Sequence, residues 1–176
     1  FHPGAIKLVH WLPTAFLLLS FLRSKKYMGN VSHPVPVSWP KVTIQLPVYN
    51  ELYVVERLIE AVAKMNYPSK WLEIQVLDDS TDQTAELIQK KILEFPELDF
   101  KYIHRTDRTG FKAGALKEGL AKASGEFIAI FDADFVPDPD FLLKTIPYFS
   151  SDKVGMVQTR WTHLNKNYSL LTRLQA

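Results

Sequence analysis

From residue 41 onward, short runs of apolar and β-branched residues alternate with longer amphipathic ones. KVTIQL (41–46), WLEIQVL (71–77), DFKYIH (99–104), EFIAIF (126–131) and VGMVQTRW (154–161) have the length and make-up of strands. Between the first two, residues 51–65 place Val54, Val55, Leu58, Ile59 and Val62 on one helical face. Asp82–Phe95 carries Ala85, Ile88, Ile92 and Phe95 on a similar stripe, and a third helix is expected near residues 112–122. A fourth is expected in DPDFLLKTIPYF (138–149), with Asp138 as its cap, Pro139 at the first helical position and Pro147 ending it. Strand and helix alternating in this way predict an α/β domain with a largely parallel central sheet. Such sheets bind ligands beyond the carboxyl ends of their strands.

The residues at those ends are polar. The first strand runs into PVYNE (47–51), the second into DDSTD (78–82) and the fourth into DAD (132–134). Each cluster taken alone has a structural explanation: Asn50 and Asp82 can cap the following helices, and Pro47 can end a strand. Taken together they gather carboxylates on one edge, where they repel one another unless a cation or ligand compensates. Residues two apart on an extended chain project to the same side, so Asp132 and Asp134 can face one site. Two carboxylates suit Mg²⁺, which is commonly held by one or two of them plus the phosphates of a bound diphosphate. Asp78 and Asp79, with Ser80, can accept hydrogen bonds from a base or ribose, and Tyr49 can meet a flat ring. RTGFKAGAL (108–116) sets two glycines beside Arg108 and Lys112, which suits a phosphate and equally suits a plain helix entry. It matches neither the dinucleotide fingerprint nor the P-loop, which argues against an NAD enzyme and an ordinary ATPase. Of the four aspartates in AIFDADFVPDPD (129–140), Asp132 and Asp134 are thus the candidate functional pair. Asp138 and Asp140 belong to the next helix, whose dipole favours negative charge in its first turn.

Composition narrows the classes. With 47% hydrophobic and 23% charged residues in 176, the chain can bury one core of ordinary size. A net charge of +2, with scattered basic residues, gives no footprint for nucleic acid. The absence of cysteine excludes disulfides, thiolate metal sites and a cysteine nucleophile, so any metal must use oxygen or imidazole. Residues 1–29 contain LVHWLPTAFLLLSFL (8–22), shorter than a full span and followed by Arg23, Lys25 and Lys26. We read this as the cytosolic end of a membrane helix, with a buried or interfacial helix as the alternative. Residues 30–40 carry the prolines of VSHPVPVSWP and read as a linker, leaving 41–176 as the folded domain.

QLPVYNE, QVLDDSTDQT, RTGFKAGALKEGL, AIFDADFVPDPDFL and VQTRW, in this order and at these spacings, resemble the family 2 glycosyltransferases. The likeness covers residues 41–176. It is strongest to the cellulose-synthase-like branch that includes mannan and glucan synthases, with ceramide glucosyltransferases as more distant relatives. The resemblance implies a GT-A type, Rossmann-like domain, incomplete at its C-terminal end. Pro47, Tyr49 and Glu51 would lie around the nucleotide, Asp79 at the base, Lys112 near the diphosphate, and Asp132 with Asp134 on Mg²⁺ or Mn²⁺. Gln158, Thr159, Arg160 and Trp161 would lie on the acceptor side. The implied partners are a UDP- or GDP-linked sugar donor, a polysaccharide or lipid acceptor, and a membrane, with the catalytic domain facing the cytosol. In the resembled family the general base is an aspartate of a later motif, followed by Q-x-x-R-W. Residues 153–176 contain no Asp or Glu, so the expectation is a donor-binding part of an inverting enzyme, inactive alone. A non-catalytic nucleotide-binding module of the same fold is the alternative.

Overall fold

The computed structural model describes residues 38–150 and 153–159. Four parallel strands form its sheet: β1 (Val42–Val48), β2 (Leu72–Asp78), β3 (Asp99–His104) and β4 (Phe127–Ile130), in the order β3-β2-β1-β4. β1 is central, pairing Val42 with Leu72 on one side and with Phe127 on the other. The chain therefore steps outward from β1 to β3 and then returns to the far side of β1. That reversal opens a crevice at the carboxyl ends of β1 and β4, the usual ligand position in such sheets.

Side chains along a strand alternate between faces, and here the two faces differ in kind. Val42, Ile44, Leu46 and Val48 of β1 join Leu72, Ile74 and Val76 of β2 in the apolar core. Helix α1 (Val55–Ala63) closes that core with Val55, Leu58, Ile59 and Val62, a spacing of three and four that makes one stripe. Each such side chain contributes about 1.5–3 kcal/mol by leaving water. Helix α2 (Thr84–Ile92) packs beside α1 and adds Ile88. Tyr67 is also in this core, its hydroxyl donating to the Pro40 carbonyl at 2.6 Å and its ring meeting Trp39 edge-on.

The opposite face is a hydrogen-bonded bed of buried polar residues. Thr43 Oγ1 donates to Glu73 Oε1 at 3.0 Å, Gln45 Nε2 to Gln75 Oε1 at 3.0 Å, and Gln75 Nε2 to Glu73 Oε1 at 3.1 Å. Ser124 Oγ donates to the other Glu73 oxygen at 2.5 Å. Helix α3 (Phe111–Lys122) lies on this bed, and Gly119 permits the approach: a Cβ there would fall 2.7 Å from Gln45 Nε2 and 2.9 Å from Gln75 Oε1.

Several sequence expectations need correction. Residues 154–159 form no strand, so the expected fifth strand is absent among the described residues, and its last two positions lie outside them. The fourth helix starts at Phe141, not at Pro139, and α4 (Phe141–Thr145) passes into a 3₁₀ turn at Ile146–Phe149 that contains Pro147. Asp138 is consequently no helix cap; its Oδ1 accepts the Asp140 amide at 2.8 Å in a local turn. That turn is pinned from outside, because the Pro139 carbonyl accepts the Asn66 amide at 2.9 Å and Asp140 Oδ1 accepts Asn66 Nδ2 at 2.7 Å. Asp140 is the residue before the helix rather than in its first turn. The expected membrane helix (1–29) and most of the linker (30–40) lie outside the described residues. Among the described residues no helix is long and apolar enough to cross a membrane.

Candidate functional site

The strand-end loops are positioned by the sheet and then tied to each other. Asn50, in the left-handed region at φ 54°, donates its amide to Ser80 Oγ at 2.9 Å. Its side-chain oxygen accepts the Thr81 amide at 2.9 Å. Asn50 therefore fastens the PVYN loop to the DDST loop rather than capping α1. Asp82 does serve the next helix: it accepts the Thr84 amide at 2.9 Å, and Thr84, through its side chain and then that amide, holds the Asp82 carboxyl below the usual carboxylate range.

A cavity of about 350 Å³ opens at the β1/β4 crevice. Pro47, Tyr49 and Glu51 line it from β1 and its loop, Asp79 from just past β2, Lys112 from α3, and Asp132 and Asp134 from the loop after β4. All seven residues expected around the donor and metal therefore line one cavity, joined by Arg108. Asp132 and Asp134 reach it by a different route from the one expected. β4 stops at Ile130, and residues 132–135 form a turn closed by the Phe135 amide on the Asp132 carbonyl at 2.9 Å, so no extended strand carries the pair.

Two carboxylates of this edge, Asp79 and Asp132, are paired with cations of one segment. Arg105 grips Asp79 with a two-pronged bond, Nε to Oδ1 at 2.7 Å and the terminal nitrogen to Oδ2 at 2.5 Å. That bond holds the Arg105 guanidinium protonated more firmly than usual. Arg105 also donates to the carbonyls of Thr109 and Phe111, at 3.3 and 3.0 Å, fixing the entry to α3 against β2. Gly110 adopts φ 76° at that entry, a conformation that favours glycine. The Arg108 guanidinium carbon lies 3.2 Å from the centre of the Tyr49 ring. Arg108 Nε is buried without a hydrogen-bond partner among the described residues and sits 3.9 Å from Asp79. Lys112 pairs with Asp132.

Asp78 proves unable to meet a ligand. It is fully buried, accepting the Ser80 amide at 2.9 Å and the Tyr102 hydroxyl at 2.7 Å, with His104 Nδ1 3.0 Å away. Burial, and then the bond to Asp78, push the Tyr102 hydroxyl well above its ordinary range. Of the adjacent pair, Asp78 is an internal brace and Asp79 faces the cavity. Gln158 and Thr159 line a second cavity of about 320 Å³ along β4, which shares Lys112 and Asp132 with the first. Arg160 and Trp161 lie outside the described residues. Arg105 is the site residue that the motifs did not mark; the available signal was a basic residue directly after the third strand, beside two strand-end carboxylates.

An open parallel sheet with a charged crevice at its switch point, and paired carboxylates opposite basic residues, defines an α/β domain with a candidate ligand site beyond its strand ends. The chain matches the description Glycosyl transferase family 2 over residues 43–175, and it belongs to that family. It is 44% identical over 177 residues to glucomannan 4-beta-mannosyltransferase 1 of Cyamopsis tetragonoloba, covering 93% of this chain and 34% of that protein. It is likewise 44% identical over 145 residues to the probable glucomannan 4-beta-mannosyltransferase 6 of Oryza sativa subsp. japonica, covering 78% and 25%. These relatives are of the cellulose-synthase-like branch. The chain thus spans between a quarter and a third of the length of these relatives. Among solved structures, it resembles the mannosyltransferase PcManGT from Pyrobaculum calidifontis in complex with GDP-Man and Mn²⁺, at 31% identity and a TM-score of 0.68. That match covers 78% of this chain and 41% of the other, and the fold is of the GT-A type.

Proposed function

We propose that this chain is the donor-binding part of an inverting glycosyltransferase that takes a nucleotide sugar and passes the sugar to a polysaccharide or lipid acceptor. The observation that carries this reading is the single cavity lined by Pro47, Tyr49, Glu51, Asp79, Lys112, Asp132 and Asp134. A GDP-linked mannose donor is favoured over a UDP-linked glucose by the names of the relatives and by the GDP-Man held in the archaeal enzyme.

The donor set fits a divalent metal bound together with a diphosphate. Among the described residues no three acidic or imidazole groups are placed to hold an ion, so Asp132 and Asp134 would bind a metal weakly by themselves and more firmly with oxygens from the nucleotide. Arg108, whose partly exposed side chain lines the cavity, offers a guanidinium to the same anion. When bound, Mg²⁺ or Mn²⁺ neutralises charge on the departing diphosphate. In the transfer, an acceptor hydroxyl oxygen bonds to the anomeric carbon as the bond from that carbon to the diphosphate oxygen breaks, with inversion. The proton goes to a base contributed by another part of the enzyme. Residues 1–29 support attachment to a membrane with this domain on the cytosolic side, through their apolar run and basic flank.

Thermal-shift titration tests the reading. In Mn²⁺, GDP near a hundred times its Kd should stabilise the chain by about 2.7 kcal/mol. GDP should act at lower concentration than UDP, and Asp134→Asn should abolish the metal-dependent part. Equal response with and without Mn²⁺, or an unaffected Asp134→Asn variant, would overturn it.

A further inference from the structure

Two carboxylates in the cavity wall already hold cations, and the two pairs differ in how readily they can be broken. Asp79 and Arg105 are nearly buried, with side-chain exposures of 4% and 10%, and bonded through two parallel contacts. Separating them would strand charge in a poorly solvated place, so this pair stays intact. Asp132 and Lys112 are 39% and 51% exposed, and a single amine makes the contact. Such a solvated pair contributes little to stability, and lysine's long stem lets its amine move with no change in backbone. The backbone below it is fixed, because α3 is seated on the buried Gln45 and Gln75 side chains through Gly119. Lys112 and Asp132 also both line the two cavities, so their pair stands in the wall between them.

We infer that Lys112 serves two anions in turn: the Asp132 carboxylate in the free chain, and the diphosphate of the nucleotide in the complex. This rests on the donor-binding reading above. A divalent cation arriving at Asp132 and Asp134 meets a resident positive charge that must leave. Once displaced, Lys112 is free for the diphosphate; conversely, a diphosphate that draws Lys112 away uncovers Asp132 for the metal. Each ligand thus releases what the other needs, and the coupling is reciprocal. Lys112 is thus a binding residue whose effect on metal binding has the opposite sign to its effect on nucleotide binding.

That pair of signs is the test. Free Mn²⁺ would be followed by its electron paramagnetic resonance signal during titration of the chain, and GDP and UDP binding by calorimetry in saturating Mn²⁺. Lys112→Met should bind Mn²⁺ alone about two- to fivefold more tightly, the competitor having been removed. The same variant should bind the nucleoside diphosphate about tenfold more weakly. Lys112→Arg keeps a competing charge and should hold Mn²⁺ as the native chain does, which separates charge from any change in fold. Unchanged or weaker Mn²⁺ affinity in Lys112→Met, with Asp134→Asn still abolishing Mn²⁺ binding, overturns the exchange alone. Mn²⁺ binding that ignores Asp134→Asn overturns the metal site and the exchange with it.

Discussion

The two faces of the central sheet are built from the same strands and do different work. One face, carrying Ile44, Leu46, Ile74 and Val76, is packed by α1 and α2, and of its β1 residues Val48 alone, at the strand's end, reaches the cavity. The other, carrying Thr43, Gln45, Glu73 and Gln75, is a directional network on which Gly119 of α3 packs and to which Ser124 and Gly125, just past that helix, are bonded. Apolar packing tolerates sliding at small cost, whereas hydrogen bonds to buried groups do not, since a misplaced partner leaves a donor or acceptor unmade. Because α3 brings Lys112 to the cavity, the polar face fixes the site and the apolar face supplies most of the stability.

Substitutions on each face should separate those two roles. Ile44→Ala, at a side chain with no exposure, should lower stability by about 3 kcal/mol in urea denaturation. It should leave nucleoside diphosphate affinity of the folded chain unchanged; a parallel fall in affinity would break the division between the faces. The next effect belongs to alkaline pH. Burial, and then the negative charge of Glu126, push the Tyr67 hydroxyl up to about 12. The folded chain therefore favours the neutral phenol, so this stabilisation is complete below pH 10 and is lost as pH rises from 10 through 12. The loss should be about 2 kcal/mol, read as a slope in stability that the Tyr67→Phe variant lacks. Gly119→Ala should give the smallest change in stability, about 1 kcal/mol, as its new methyl meets Gln45, Leu77 and Gln75. Alone of the three it should also weaken GDP binding, measured by calorimetry in Mn²⁺, by lifting α3 from its bed.

What could be read from the sequence follows the same division. The apolar face was legible in the three-and-four spacing of Val55, Leu58, Ile59 and Val62 and in the runs that became β1 and β2. Which strand ends would be polar was equally plain, and with it the cavity wall. The helix ends were less so: α2 was expected to reach Phe95, but the amides of Glu94 and Phe95 bond only three residues back, and Pro96 cannot continue a helix. Arg105 was harder to find because its partner is 26 residues away along the chain, and only its place directly after the third strand distinguishes it from a surface arginine. VGMVQTRW reads as a strand by composition, yet a strand is defined by a neighbour, and residues 154–159 have none among the described residues. The Asp138–Pro139 start was overruled by Asn66, a contact between distant segments that no local rule contains.

Asn50 gives the site a dynamic property. Its amide and side chain bind Ser80 and Thr81, while the Asp79 amide is held by the Val48 carbonyl at 3.0 Å. Neither strand-end loop can peel away without breaking bonds to the other, so the amides of Asn50, Asp79 and Thr81 should exchange with deuterium through one shared opening rather than three. A ligand touching Tyr49 would then quiet the loop of Asp79 as well, and the two walls of the cavity breathe as one cooperative unit.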